Sequence, residues 1–194
     1  MRPTASAVLA VMLGAAGVFS CSSSSSKGTA QSPEGTASVT PNGPSATLQP
    51  TAQGTRIFGP QLELVRDHKG IRGHGPIGVV DLRPDQSKGT VSGVIGSGPT
   101  NLHIEPTPDG NFTMRGMFAG TLGDLEVSDD RIEGQLGRCQ YNLRAAATSD
   151  ASKAYNGNRW CGRTRSTTTL TLSPQIEALT PVDRGALIAI LLGR

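Results

Sequence analysis

Three stretches decide the fold: Val91-Ser92-Gly93-Val94-Ile95, Met114-Arg115-Gly116-Met117-Phe118 and Ile132-Glu133-Gly134-Gln135-Leu136. Each has the form apolar-x-Gly-x-apolar. In a strand, residues two apart share a face, so Gly116 falls on the face of Met114 and Phe118, and Gly134 on that of Ile132 and Leu136. A glycine inside a strand costs stability unless it allows sharp coiling or close approach of another element. The pattern therefore predicts strands coiled into a barrel or a strongly bent sheet.

Looser copies stand on either side, at Ile71-Arg72-Gly73 and Trp160-Cys161-Gly162, so the central glycines are Gly73, Gly93, Gly116, Gly134 and Gly162. Each copy is followed, after a glycine-bearing turn, by a second short strand: residues 78–82, 101–104, 124–127, 141–143 and 169–172. Five hairpin units give about ten strands in an antiparallel meander, with an eleventh at residues 61–65. A parallel β-solenoid is the alternative, since its coils also repeat glycines. The unequal repeat lengths and the hairpin-like segments 96–101 and 120–124 weigh against it.

Composition agrees with a mainly β chain. Pro and Gly make 38 of 194 residues, against roughly 12% in average usage, which argues for turns and against an all-helical bundle. A net charge of +3 from 18 basic and 15 acidic residues, with only seven aromatics, lacks the basic stripe and stacking groups of a nucleic-acid binder. Nucleic acid is set aside as a partner.

The last residues change period. Ser173-Pro174 reads as an N-cap followed by proline at the first helical position, and Thr180-Pro181-Val182-Asp183 as a second start of the same kind. The second leads into Ala186-Leu187-Ile188-Ala189-Ile190-Leu191-Leu192, apolar nearly all round. Residues 173–194 are thus expected to form short helices on the β domain, plugging an open end of the barrel or covering one sheet face.

At the other terminus, Arg2 precedes an uncharged run, 7–19, which reads as the apolar region of an export signal. The run is too short to span a bilayer as a helix. The next step, Val18-Phe19-Ser20-Cys21, resembles the lipobox of bacterial lipoproteins. The resemblance extends from Met1 to Cys21 and no further. It implies a signal peptide over 1–20, a diacylglycerol on the thiol of Cys21 and acylation of the new amino terminus. Ser22, not an acidic residue, follows the cysteine, and the resemblance then implies sorting to the outer membrane. Residues 21–54 read as a lipidated, disordered tether: from Ser22 to Gly54 most positions are Ser, Thr, Pro or Gly, too polar a stretch to offset its ordering entropy. The β domain is then expected over 55–172.

With Cys21 lipidated, Cys139 and Cys161 remain as an even pair in an oxidising compartment, and a disulfide is expected. Asn156-Gly157-Asn158 between them reads as a turn. No catalytic constellation stands out and no cofactor is implied. The one metal or hydrolase alternative needs the fold to gather His68, His74, His103 and Asp67. The expected role is a non-enzymatic envelope lipoprotein, membrane-anchored through Cys21. Its β domain would be structural or would bind an envelope protein, peptidoglycan or a small ligand.

Overall fold

The structure, a computed structural model, describes residues 45–52, 54–148 and 151–193. The expected signal segment, the lipobox with Cys21, and residues 22–44 of the expected tether lie outside the described residues. Among the described residues thirteen strands follow one another: β1 Ser45–Thr51, β2 Gly54–Gly59, β3 Leu62–Asp67, β4 Gly70–Gly75, β5 Gly78–Asp85, β6 Thr90–Ile95 and β7 Gly98–Pro106. They continue with β8 Phe112–Phe118, β9 Thr121–Val127, β10 Arg131–Leu136, β11 Cys139–Ala146, β12 Lys153–Cys161 and β13 Thr164–Leu172. Two helices follow, α1 Pro174–Glu177 and α2 Pro181–Leu192.

The strands form a closed barrel in which each pairs antiparallel with its sequence neighbours. With an odd number of strands, the first and last must run the same way. β1 and β13 accordingly meet in parallel, through Ser45 opposite Thr171 and Ala46 opposite Leu172. The solenoid alternative is overturned; the expected barrel-like meander of about ten strands is approximately right, with thirteen strands among the described residues. The ten strands of the five hairpins are β4 to β13 and the eleventh is β3. β1 and β2 are additions, and β1 lies inside the stretch read as tether, so the barrel begins at Ser45 and not at Thr55. Gln49-Pro50-Thr51-Ala52 hides it: Pro50 pairs only with Thr55 of β2, beyond the two residues that pair with β13, so proline is tolerated there.

The repeated glycines share one structural relationship. Gly73, Gly93, Gly116, Gly134 and Gly157, on alternate strands, stand opposite Leu64, Leu82, Leu102, Leu125 and Leu143 of a neighbouring strand. All five leucines are buried. At Gly116 φ is +132°, and a Cβ would lie 2.2 Å from the Asn101 carbonyl oxygen; at Gly134 the values are +129° and 2.2 Å from that of Asp124. The strands coil so closely there that no side chain fits. The fifth centre is therefore Gly157 and not Gly162. Asn156-Gly157-Asn158 is no turn but the middle of β12, where a Cβ would meet the Asn142 carbonyl at 2.1 Å. Gly162 occupies the β12–β13 turn.

Carrying the register from Leu172 through β1 and once round the wall returns it to β13 at position 158 on the extended strand, not at 172. That stagger implies a strand tilt of about 37° and a barrel about 25 Å across. Packed layers stand about 10 Å apart, so a wall of this radius leaves an axis that side chains alone cannot fill but one helix can. α2 takes that place. From Ala186 to Leu192 no residue is more than 2% exposed. The helix packs against β5, β6, β7 and β8, while Tyr141 of β11 donates its hydroxyl proton to the Leu192 carbonyl. The C-terminal segment is thus the core of the barrel, which explains why it is apolar all round.

Candidate functional site

Alternation along the strands sends Leu, Ile, Val, Phe and Met inward, and Arg56, Glu63, Arg115, Asp124, Glu126 and Arg131 outward into ion pairs on the wall. This is the reverse of a lipid-facing barrel, whose outer band is apolar. Among the described residues no helix is long and apolar enough to cross a membrane. With the interior filled, contacts to other molecules must be made at the two mouths or on the wall.

One mouth surrounds the start of α2. Thr180 and Asp183 form a reciprocal cap: the Asp183 backbone N–H donates to Thr180 Oγ1 at 3.3 Å, and the Thr180 hydroxyl donates to Asp183 Oδ2 at 2.9 Å. The same carboxylate oxygen accepts from Arg66 at 2.5 Å and from Gln86 at 3.1 Å. The Asp183 side chain is 3% exposed and that of Arg66 34%. A buried carboxylate requires such partners. Arg66 reaches it because, after Leu62 and Leu64, it is the next inward position of β3. Around the pair lies a depression of about 330 Å³ lined also by His68, Lys69 and Arg83. Its chemistry is that of a lock: one acid and its donors fix the helix to the wall.

The residues of the metal or hydrolase alternative, His68, His74, His103 and Asp67, are not gathered at one point. His68 sits in the β3–β4 turn beside Asp67, while His74 lies at the far end of β4, opposite Glu63, about 20 Å along the strand. His103 is on β7, three strands further round, facing outward 3.4 Å from Glu105. Asp67 is engaged locally, accepting from the Lys69 backbone N–H at 2.7 Å and from Arg72 at 2.6 Å. The Lys69 N–H above all, with Arg72 beside it, holds the Asp67 carboxyl below its usual range. Among the described residues no three metal-ligating groups come together. Distance defeats the combination: Asp67 and His68 lie at one mouth, His74 near the other, and His103 three strands away on the outer wall.

The expected disulfide is present. Cys139 and Cys161 are direct cross-strand partners on β11 and β12, with Cα atoms 4.2 Å apart. It pins the two strands at the second mouth, where α2 ends. There a depression of about 320 Å³ is lined by Ile77, Phe118, Leu136, Arg138 and Gly193 among others.

Comparison with family models, with curated proteins and with solved structures returns no match.

Sequence reasoning missed the Arg66–Gln86–Asp183 cluster. Part of its signal was legible, since Thr180-Pro181-Val182-Asp183 has the spacing of a cap and Arg66 breaks the inward apolar alternation of Leu62 and Leu64. Only the closed topology brings the two together, 117 residues apart in the chain.

At the mouth where α2 begins, partial burial works against the charge of Lys153. That burial is the largest single influence, but Asp129, 2.5 Å away, together with Tyr155 and Glu177 outweighs it and holds the ammonium above its usual range. Burial pushes the Tyr155 hydroxyl above its usual range as well.

Proposed function

We propose that the protein is a cell-envelope lipoprotein of non-enzymatic role, anchored to the membrane through acyl chains on Cys21 and presenting the plugged barrel on a flexible tether. One observation carries the reading. The chain has three cysteines, and two of them close on each other in the barrel. That leaves Cys21, directly after the apolar run and in the lipobox-like setting Val18-Phe19-Ser20-Cys21, as the remaining thiol. A structural disulfide fits an exported protein, and more than one acyl chain gives the stable anchoring that a single chain does not. The serine after Cys21 supports delivery to the outer membrane. With α2 filling the interior, an envelope protein, peptidoglycan or a small ligand would be met at a mouth or on the wall.

Membrane fractionation after a high-salt wash tests the anchor. The wild-type chain is expected in the outer-membrane fraction and labelled by palmitate. Cys21→Ala should be unlabelled and released, with its barrel still folded. A Cys21→Ala chain that stayed in washed membranes would refute lipidation as the anchor.

A further inference from the structure

The two mouths of the barrel differ in charge. At the mouth where α2 begins, the loops carry Asp67, Asp85, Asp109, Asp129 and Asp130. At the other, six hairpins turn over residues 59–62, 75–78, 95–98, 118–121, 136–139 and 161–164, each with a two-residue loop between its last paired positions. None of these six turns holds a carboxylate, and their charges are Arg138 and Arg163, both exposed.

Apolar groups stand outward beside this cationic rim. Val79, Val94, Met117 and Leu122 are 53%, 43%, 41% and 75% exposed. They form a band across β5 to β9: Val94 faces Pro99, and Met117 faces Leu122. On β12, one residue before the last turn, Trp160 faces outward with the Arg165 guanidinium 5.5 Å from its ring centre. The wall carboxylates Glu63 and Asp124 are neutralised by Arg56 and Arg115; one exposed carboxylate, Asp81, stands within the band as the cross-strand partner of Val94. Large aliphatic side chains left in water, with arginines, a tryptophan and no acid in any turn, match the headgroup zone of an anionic bilayer.

We propose that this mouth docks on an anionic phospholipid surface, seating the band from Val79 to Leu122 and Trp160 in the headgroup layer while the mouth where α2 begins faces away. The inference deepens the lipoprotein reading and rests on it for the presence of a membrane. The anchor permits the pose: fully extended, the segment from Cys21 to Pro44 can reach up to about 80 Å, more than the height of the barrel.

Trp160 is the chain's one tryptophan and reports on the contact directly. The lipidated full chain is reconstituted into vesicles containing lipids brominated near the headgroup end of the acyl chain. One set carries phosphatidylglycerol and the other phosphatidylcholine alone. Co-sedimentation reports the anchor and Trp160 quenching reports the docking, so the two readings fail separately. The expectation is a blue shift and strong quenching of Trp160 in the anionic vesicles only. The double variant Arg138→Glu/Arg163→Glu should fall to the phosphatidylcholine level, since each arginine contributes about fivefold to surface affinity. Asp109→Lys on the opposite mouth should change nothing. Co-sedimentation with Trp160 unquenched, quenching indifferent to lipid charge or to the arginine variants, or Trp160 shielded only on adding purified peptidoglycan would each overturn the proposal.

Discussion

Arg66 of β3 and Asp183 of α2 are joined at 2.5 Å across 117 residues of chain, tying the helix at the core to the wall that encloses it. Their burial differs, and that asymmetry sets the outcome of replacing either one. Arg66→Ala strands a carboxylate that is 3% exposed, with only neutral donors left to it, and is expected to cost about 3 kcal/mol. Asp183→Ala leaves an arginine that is 34% exposed and can turn to water, and should cost about 1–2 kcal/mol. Urea unfolding at neutral pH checks the order. The double variant should resemble Asp183→Ala, and a larger loss for Asp183→Ala than for Arg66→Ala would contradict the assignment.

The glycines opposite buried leucines should tolerate no side chain. Valine favours strands, so at an open strand position it would stabilise. At Gly116 and Gly134 it meets a carbonyl oxygen at 2.2 Å and a positive φ, and a loss of about 3 kcal/mol or more is expected. Gly162→Asn is the control, because that turn glycine has φ of +62° and nothing within 4 Å of a Cβ, a conformation asparagine accepts. Thermal unfolding with the disulfide intact should show Tm lowered in both valine variants and nearly unchanged in the control.

The repeat was legible because inward parity survives at each glycine: Val91 and Ile95, Met114 and Phe118, and Ile132 and Leu136 are all buried. The fifth centre was misread since Trp160-Cys161-Gly162 imitates the pattern locally, whereas Gly157 is set by the backbone of β11, which no local pattern records. β1 was hidden for a related reason. Its support comes from β2 and from the closing pair with β13, not from its own Ser, Thr, Gln and Pro residues. The position of α2 followed from strand number: a narrower barrel would have expelled the same helix to one end.

Acid should loosen one mouth before the other. Asp67, Asp85 and Asp130 lie below the ordinary 3.8, held there chiefly by the Lys69 backbone N–H, the Ser87 hydroxyl and the Ser128 hydroxyl respectively. Carboxyls depressed in the folded state contribute stability above pH 3.8 and lose it as pH falls through their folded values. The Lys69 and Ser87 amides, bonded to Asp67 and Asp85 at 2.7 and 3.1 Å, should therefore shift in NMR spectra below pH 3.8. Amides of Ser97 and Arg138, in turns without carboxylates, should hold still over the same range. Equal movement at both mouths would point to global unfolding instead.

That α2 is the core of the barrel is tested most directly by ending the chain at Leu172 and following thermal unfolding by circular dichroism. Without the helix the inner faces of β5 to β8 lose their packing partner, and a cavity of that size exceeds what a domain's roughly 5–15 kcal/mol of stability can absorb. No cooperative transition is expected for the truncated chain, and the transition should return when a peptide of residues 173–194 is added. A truncated chain that unfolded cooperatively at the full-length Tm would contradict that role of α2.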